Sequence, residues 1–202
     1  TGDPEAVVEL FRLLLVSGIA MAVTGTSSPA SGAEHLLSHY WDMTRLRDGL
    51  PLNLHGAQVG VASLVIDRLY REILEQDFAA AGFRPGPSLE EAERETRASF
   101  GSLAGAVWPQ WRAKLEARTP RDLEGLQEHE QPIKAHIRRT LELGARVHTA
   151  LTAAGAPLRA ADLGIGGGEL AAALCLGRTI RTRFTALDVA AELGILEGFA
   201  ER

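Results

Sequence analysis

An all-α helical bundle is the fold this sequence predicts. Three observations point to it. Apolar residues recur at the 3.6-residue helical period through several long stretches, alternating strand-like runs are hard to find, and caps and breakers fall between the periodic stretches. The chain has 202 residues, of which 46% are hydrophobic, enough to bury a real core as a single domain, Thr1–Arg202. A formal net charge of −5 and a pI near 5.7 argue against a nucleic-acid surface. The one cysteine, Cys175, excludes an internal disulfide framework and fits a reducing cytoplasm.

The elements follow in order. The apolar run AVVELFRLLLVSGIAMAV, residues 6–23, raises a membrane question. A spanning helix needs ~20 apolar residues, and a central Arg costs ~3 kcal/mol on insertion scales. Glu9 and Arg12 sit inside the run, Ser17 and Gly18 interrupt it, and no basic segment precedes it. It therefore reads as a buried helix, with neither a membrane span nor a secretory signal. Further on, Val61, Ala62, Val65, Ile66, Leu69 and Ile73 share one face of a helix that starts near His55, opposite Ser63, Asp67, Arg68, Arg71 and Glu75. The cluster GFRPGP, residues 82–87, breaks the chain. Ser88 then caps a new helix, with Glu91 completing a capping box. Thr119 with Pro120 starts another, whose stripe is Leu126, Ile133, Ile137, Leu141 and Leu151. Pro132 is expected to kink or interrupt it, and Gly155–Pro157 to end it. Two last helical runs cover 169–184 and 185–202, giving about eight helices in all.

Three histidines carry the chemistry. In GAEHLLSHYWDM, residues 32–43, His35 and His39 stand at i and i+4, on one helix face. A third, His55, opens LHGAQVG at the start of the next helix, where Gly56 lets a backbone approach closely. Buried neutral imidazoles need hydrogen-bond partners or a cation. The zinc motif His-Glu-x-x-His is absent, since Glu34 precedes the first histidine. The hydroxyl-rich loop TGTSSPASG, residues 24–32, is suited to a polar or phosphorylated substrate through Ser27, Ser28 and Ser31.

The segments SGIAMA (17–22), SSPASGAEHLLSHYWDM (27–43), LHGAQVGVASL (54–64) and IRTRFTALDVAAELGIL (180–196), in that order, resemble the C-terminal helical domain of the sn-glycerol-1-phosphate dehydrogenases. That family is related to 3-dehydroquinate synthase, glycerol dehydrogenase and the iron-containing alcohol dehydrogenases. The resemblance implies a dehydroquinate synthase-like helical domain. It implies reduction of dihydroxyacetone phosphate to sn-glycerol 1-phosphate with NADH or NADPH, and a divalent zinc or nickel ion. By motif, His35 and His55 match the family's metal-binding histidines, and His39 matches the histidine that contacts substrate. The resemblance further implies a cytoplasmic enzyme of phospholipid biosynthesis, a homodimer, no membrane span and no nucleic-acid partner.

The departures from the family are equally specific. Its N-terminal nucleotide-binding domain and upstream aspartate ligand have no visible counterpart, so no cofactor-binding residue is assigned here. The only carboxylates before the histidine pair are Asp3, Glu5, Glu9 and Glu34. The chain reads as the second half of such an enzyme, holding metal weakly through two protein ligands and inactive alone. The start at Thr1 and the end at Arg202 suggest a fragment. Two further readings stand beside it: a dehydroquinate synthase-like cyclase, which is expected to carry Glu where Gln58 stands, and a non-catalytic helical assembly module.

Remaining features read as structural. Gly166, Gly168 and Ala171 fit a dinucleotide-binding pattern, but LRAADLGI is too polar and short for the strand that pattern needs, so a glycine-rich turn leading into a helix is expected. Trp41, Trp108 and Trp111 read as packing residues. His129, His136 and His148 read as surface or interhelix residues, and EEAERE (90–95) as a solvated helix face.

Overall fold

Several helices begin where a side chain or a proline relieves their unpaired backbone donors. In the computed structural model, which describes residues 3–82 and 86–202, ten α-helices and five 3₁₀ turns are present and no strand occurs among the described residues. Part of the 82–87 breaker cluster lies outside the described residues. The chain divides into two compact units, Thr1–Gly32 and Ala33–Arg202.

The first unit is built on α1, Pro4–Thr24. Asp3 caps it by accepting from the Glu5 N–H at 3.0 Å, Pro4 occupies a first-turn position, and Gly25 closes it at φ 65°. The helix runs unbroken through Ser17 and Gly18. The burial expected for it does not occur. None of its residues is buried, and Phe11, Leu13 and Ile19 are each more than half exposed. Its apolar residues lie all round rather than in a stripe, a pattern suited to apolar surroundings on every side rather than to packing by one face. It is the one helix among the described residues long and apolar enough to cross a membrane by length and composition. Glu9 and Arg12 pair on its surface at 2.5 Å.

The second unit holds the core. Its axis is the packing of α2, Ala33–Arg47, against α3, His55–Glu75. The face expected on α3 is the buried one: Val61, Ala62, Val65, Ile66, Leu69 and Ile73, joined by Gln58. Leu36, Leu37 and Trp41 of α2 are fully enclosed. Each such large apolar side chain contributes ~1.5–3 kcal/mol of transfer free energy. Helix α4, Leu89–Phe100, starts at the Ser88–Glu91 capping box and packs on α5, Ala104–Ala117. Trp41 and Trp111 are buried packing residues, and Trp108 is half-buried.

The long helix expected after Thr119 is two helices, α6, Pro120–Glu128, and α7, Glu130–Ala153, broken at His129. The break falls so that Pro132 lies in the first turn of α7, where its missing N–H has no intrahelical partner to lose. His129, His136 and His148 are exposed. Gly144 of α7 faces Asp67 of α3, and a Cβ there would meet the carboxylate at 2.2 Å, so a larger residue requires the Asp67 side chain to shift.

The glycine-rich stretch forms a 3₁₀ turn, Ala160–Leu163, then Gly164 at φ 67°, then α8, Gly167–Leu176. This is the turn into a helix expected from its polarity. The run to Phe184 is not one helix: α8 ends at Leu176 and a 3₁₀ turn, Gly177–Thr179, follows. The last run is likewise divided, into α9, Ala186–Glu192, and α10, Leu196–Ala200, because Gly194 takes φ 73° between them. Thr185 and Asp188 form a capping box for α9.

A candidate metal and substrate site at three histidines

The three histidines arise from two neighbouring helices. Leu36, Leu37, Tyr40 and Trp41 anchor the buried face of α2, which leaves His35 and His39 together on a half-buried flank one turn apart. His55 is the first residue of α3. Leu54 precedes it in extended conformation, and its carbonyl accepts from the N–H groups of Ala57 and Gln58 at 3.0 and 3.1 Å.

The connection from α2 to His55 is clamped. Gly49 takes φ 67° to end α2, a conformation that disfavours any side chain, and the Leu50 N–H donates to the Arg45 carbonyl at 2.8 Å. Arg45 is buried. Its guanidinium donates to the carbonyls of Pro51 at 3.2 Å and Gly164 at 2.7 Å, and to Glu169 Oε1 at 3.2 Å. Asn53 Nδ2 donates to the Leu163 carbonyl at 3.0 Å. The glycine-rich turn thus supplies the carbonyls that hold the loop carrying His55. That is its observed structural role.

The rings converge. Centroids lie 5.3 Å apart for His35 and His55, 5.8 Å for His39 and His55, and 6.3 Å for His35 and His39. His39 and His55 are near parallel, at 23°. His35 Nδ1 lies 2.8 Å from Glu34 Oε1, and His55 Nδ1 lies 3.0 Å from Ser38 Oγ. Ser38 donates to Gln58 Oε1 at 2.6 Å, and Gln58 Nε2 donates to Asp42 Oδ1 at 2.9 Å. Ser38 and Gln58 are fully buried. The pKa of His39 is lowered, first by burial and then by the electrostatic influence of Arg181 and of the neighbouring His55 and His35, with Asp42 opposing.

The chemistry of this donor set suits a divalent cation. With Zn–N near ~2.05 Å, two imidazoles on a tetrahedral ion place their centroids ~5.2 Å apart. The His35–His55 pair matches that spacing at 5.3 Å, and His39 stands off from both. Among the described residues, no group of three or more His, Cys, Asp and Glu is arranged to hold a metal ion, so the donor set is a pair with a third ring beside it. A cleft of about 820 Å³ elsewhere, between Arg68, His148 and Arg159, contains none of the three. Two of its arginines are paired locally, Arg71 with Asp67 and Arg159 with Asp162.

Ser27, Ser28 and Ser31 lie in the first unit, around a 3₁₀ turn, Ser28–Ala30, where the Ser28 N–H donates to Thr26 Oγ1 at 3.2 Å. Sequence reasoning passed over Ser38, Asp42 and Arg181 as site residues. Gln58 gave a signal, because a polar residue on the Val61–Val65 stripe has to find a buried partner.

No family profile matches the chain, and no solved structure matches it. Curated relatives do. A glycerol-1-phosphate dehydrogenase [NAD(P)+] of Halalkalibacterium halodurans is 55% identical over 62 residues, 31% of this chain and 16% of the relative. The enzyme of that name from Geobacillus stearothermophilus is 38% identical over 112 residues, 55% of this chain and 24% of the relative. That from Pyrococcus furiosus is 41% identical over 69 residues, 34% of this chain and 19% of the relative. The match therefore spans a quarter or less of the length of each of these three relatives. Over part of its length, this chain is similar to the glycerol-1-phosphate dehydrogenases.

Proposed function

We propose that this chain is the metal- and substrate-binding half of an NAD(P)-dependent glycerol-1-phosphate dehydrogenase, which reduces dihydroxyacetone phosphate to sn-glycerol 1-phosphate. The observation that carries this reading is the 5.3 Å separation of the His35 and His55 rings, at the spacing of two ligands on one ion. The relatives' shared name supports the substrate and the coenzyme.

His35 and His55 would hold the cation, zinc or nickel, through neutral imidazole nitrogens. Bound there, a divalent cation would supply Lewis acidity toward a ketone oxygen of the substrate. His39, whose pKa is lowered by burial and by Arg181, contacts the substrate and can donate a hydrogen bond or relay a proton. The positive charge of Arg181 beside His39 favours a phosphate ester over a neutral substrate. Ser27, Ser28 and Ser31 are proposed substrate contacts on the strength of their hydroxyl-rich loop alone. With two protein ligands the chain holds metal weakly and does not turn over alone. A nucleotide-binding domain has to bring NAD(P)H. A cytoplasmic location, a place in phospholipid biosynthesis and a homodimer belong to the same proposal.

The test assays NADH and NADPH oxidation with dihydroxyacetone phosphate in zinc or nickel. The chain alone is expected to be silent. Joined to the nucleotide-binding domain of a matched relative it is expected to turn over, and His35→Ala in the joined enzyme to abolish this. Turnover indifferent to His35→Ala contradicts the proposal.

A further inference from the structure

We infer that Asp42, Gln58 and Ser38 form a one-way hydrogen-bond chain that fixes the tautomer of His55, leaving its Nε2 lone pair free for a ligand. The inference deepens the proposed function and rests on it only for what that lone pair binds. The direction follows from the far end. Asp42 Oδ1 is a carboxylate oxygen and accepts only, so the Gln58 group facing it at 2.9 Å is the amide nitrogen. That places Gln58 Oε1, also acceptor-only, against Ser38 Oγ at 2.6 Å. The single hydroxyl proton of Ser38 therefore goes to Gln58. Its oxygen, 3.0 Å from His55 Nδ1, is left to accept. His55 must carry its proton on Nδ1, and Nε2 keeps the lone pair.

Burial makes the chain binding rather than incidental. Ser38 and Gln58 have no exposed surface, so water cannot substitute for either partner. His35 is engaged in the same sense, with Nδ1 at 2.8 Å from Glu34 Oε1. Both rings of the close pair are thus held through Nδ1. Partners of this kind orient ligand imidazoles and fix their tautomers, and losing one weakens metal affinity ~10–100-fold. Ser38, Gln58 and Asp42 are positioning residues here, acting through His55.

Long-range ¹H–¹⁵N spectra of the metal-free chain, paired with zinc titration, test this. His55 is expected as the Nδ1–H tautomer. Ser38→Ala removes the acceptor, and His55 should shift toward Nε2–H. Gln58→Leu, which never touches the ring, frees the Ser38 proton to donate to Nδ1 and should produce the same shift, while Ser38→Thr keeps the parent tautomer. Zinc affinity should fall ~10–100-fold in Ser38→Ala and Gln58→Leu. A parent His55 already protonated on Nε2 overturns the inference, as does zinc affinity within twofold of the parent in both variants. If the parent binds no zinc yet the tautomer still shifts in both variants, the hydrogen-bond chain stands and the metal reading falls.

Discussion

Replacing Arg45 should loosen the site without touching a histidine. Its side chain is 9% exposed and joins three groups: Glu169, the Pro51 carbonyl and the Gly164 carbonyl. Arg45→Met keeps the apolar stem and removes the guanidinium. Truncating one partner of a buried ion pair costs about 3–5 kcal/mol. Glu169 is 26% exposed and rehydrates in part, which brings the expected loss to the lower end, about 3 kcal/mol. For a chain of this size 1 kcal/mol moves Tm by about 2–4 °C, so the melt should drop by roughly 6–12 °C. The loop from Gly49 to Leu54 then loses its main clamp, and zinc affinity should fall with it. Urea unfolding and calorimetry measure the first effect, and zinc titration the second. A stability change within 0.5 kcal/mol, or undiminished zinc binding in a destabilised variant, would refute the view that Arg45 positions His55.

Other predictions are smaller. In the joined enzyme, His39→Ala should cut kcat/KM by at least ~10²-fold while metal content is retained, and an unchanged kcat/KM removes His39 from the site. The folded-state pKa of His39 lies below its unfolded value near 6.5, so the unfolded chain binds the proton more readily. Stability of the metal-free chain should be level above about pH 6.5 and decline below it, and His39→Gln should flatten that decline in urea titrations across pH 5–8. Ser88→Ala breaks the capping box with Glu91 and should destabilise by about 1 kcal/mol, seen as a lower urea midpoint at constant slope. Gly49→Ala forces a side chain into φ 67° and should destabilise by about 1–2 kcal/mol with a parallel loss of zinc affinity.

Much of this fold is written in local patterns. The α3 stripe from Val61 to Ile73, the Ser88 and Thr119 starts and the glycine-rich turn follow from periodicity and capping, which depend on neighbours in sequence. Positions decided by tertiary contact were harder to read. Gly194 divides α9 from α10, and nothing local separates it from a tolerated helical glycine. The break at His129 comes upstream of the proline that requires it, because the helix restarts so that Pro132 falls in a first turn. Apolar content alone suggested burial for α1, but its residues point all round and none is enclosed. At the site, the i, i+4 spacing put His35 and His39 on one flank, and the motif singled out His55. The Ser38–Gln58–Asp42 chain was not legible, since Ser38 and Gln58 lie on different helices and meet only after α2 and α3 pack.

The central claim is that His35 and His55 ligate one cation together. Titrating zinc into ¹⁵N-labelled chain and following the imidazole nitrogens tests it directly. The account predicts that Nε2 of His35 and of His55 shift in concert and saturate at one zinc per chain, with the His39 nitrogens left uncoordinated. Independent saturation of the two rings, or coordination by His39 in place of either, would contradict it.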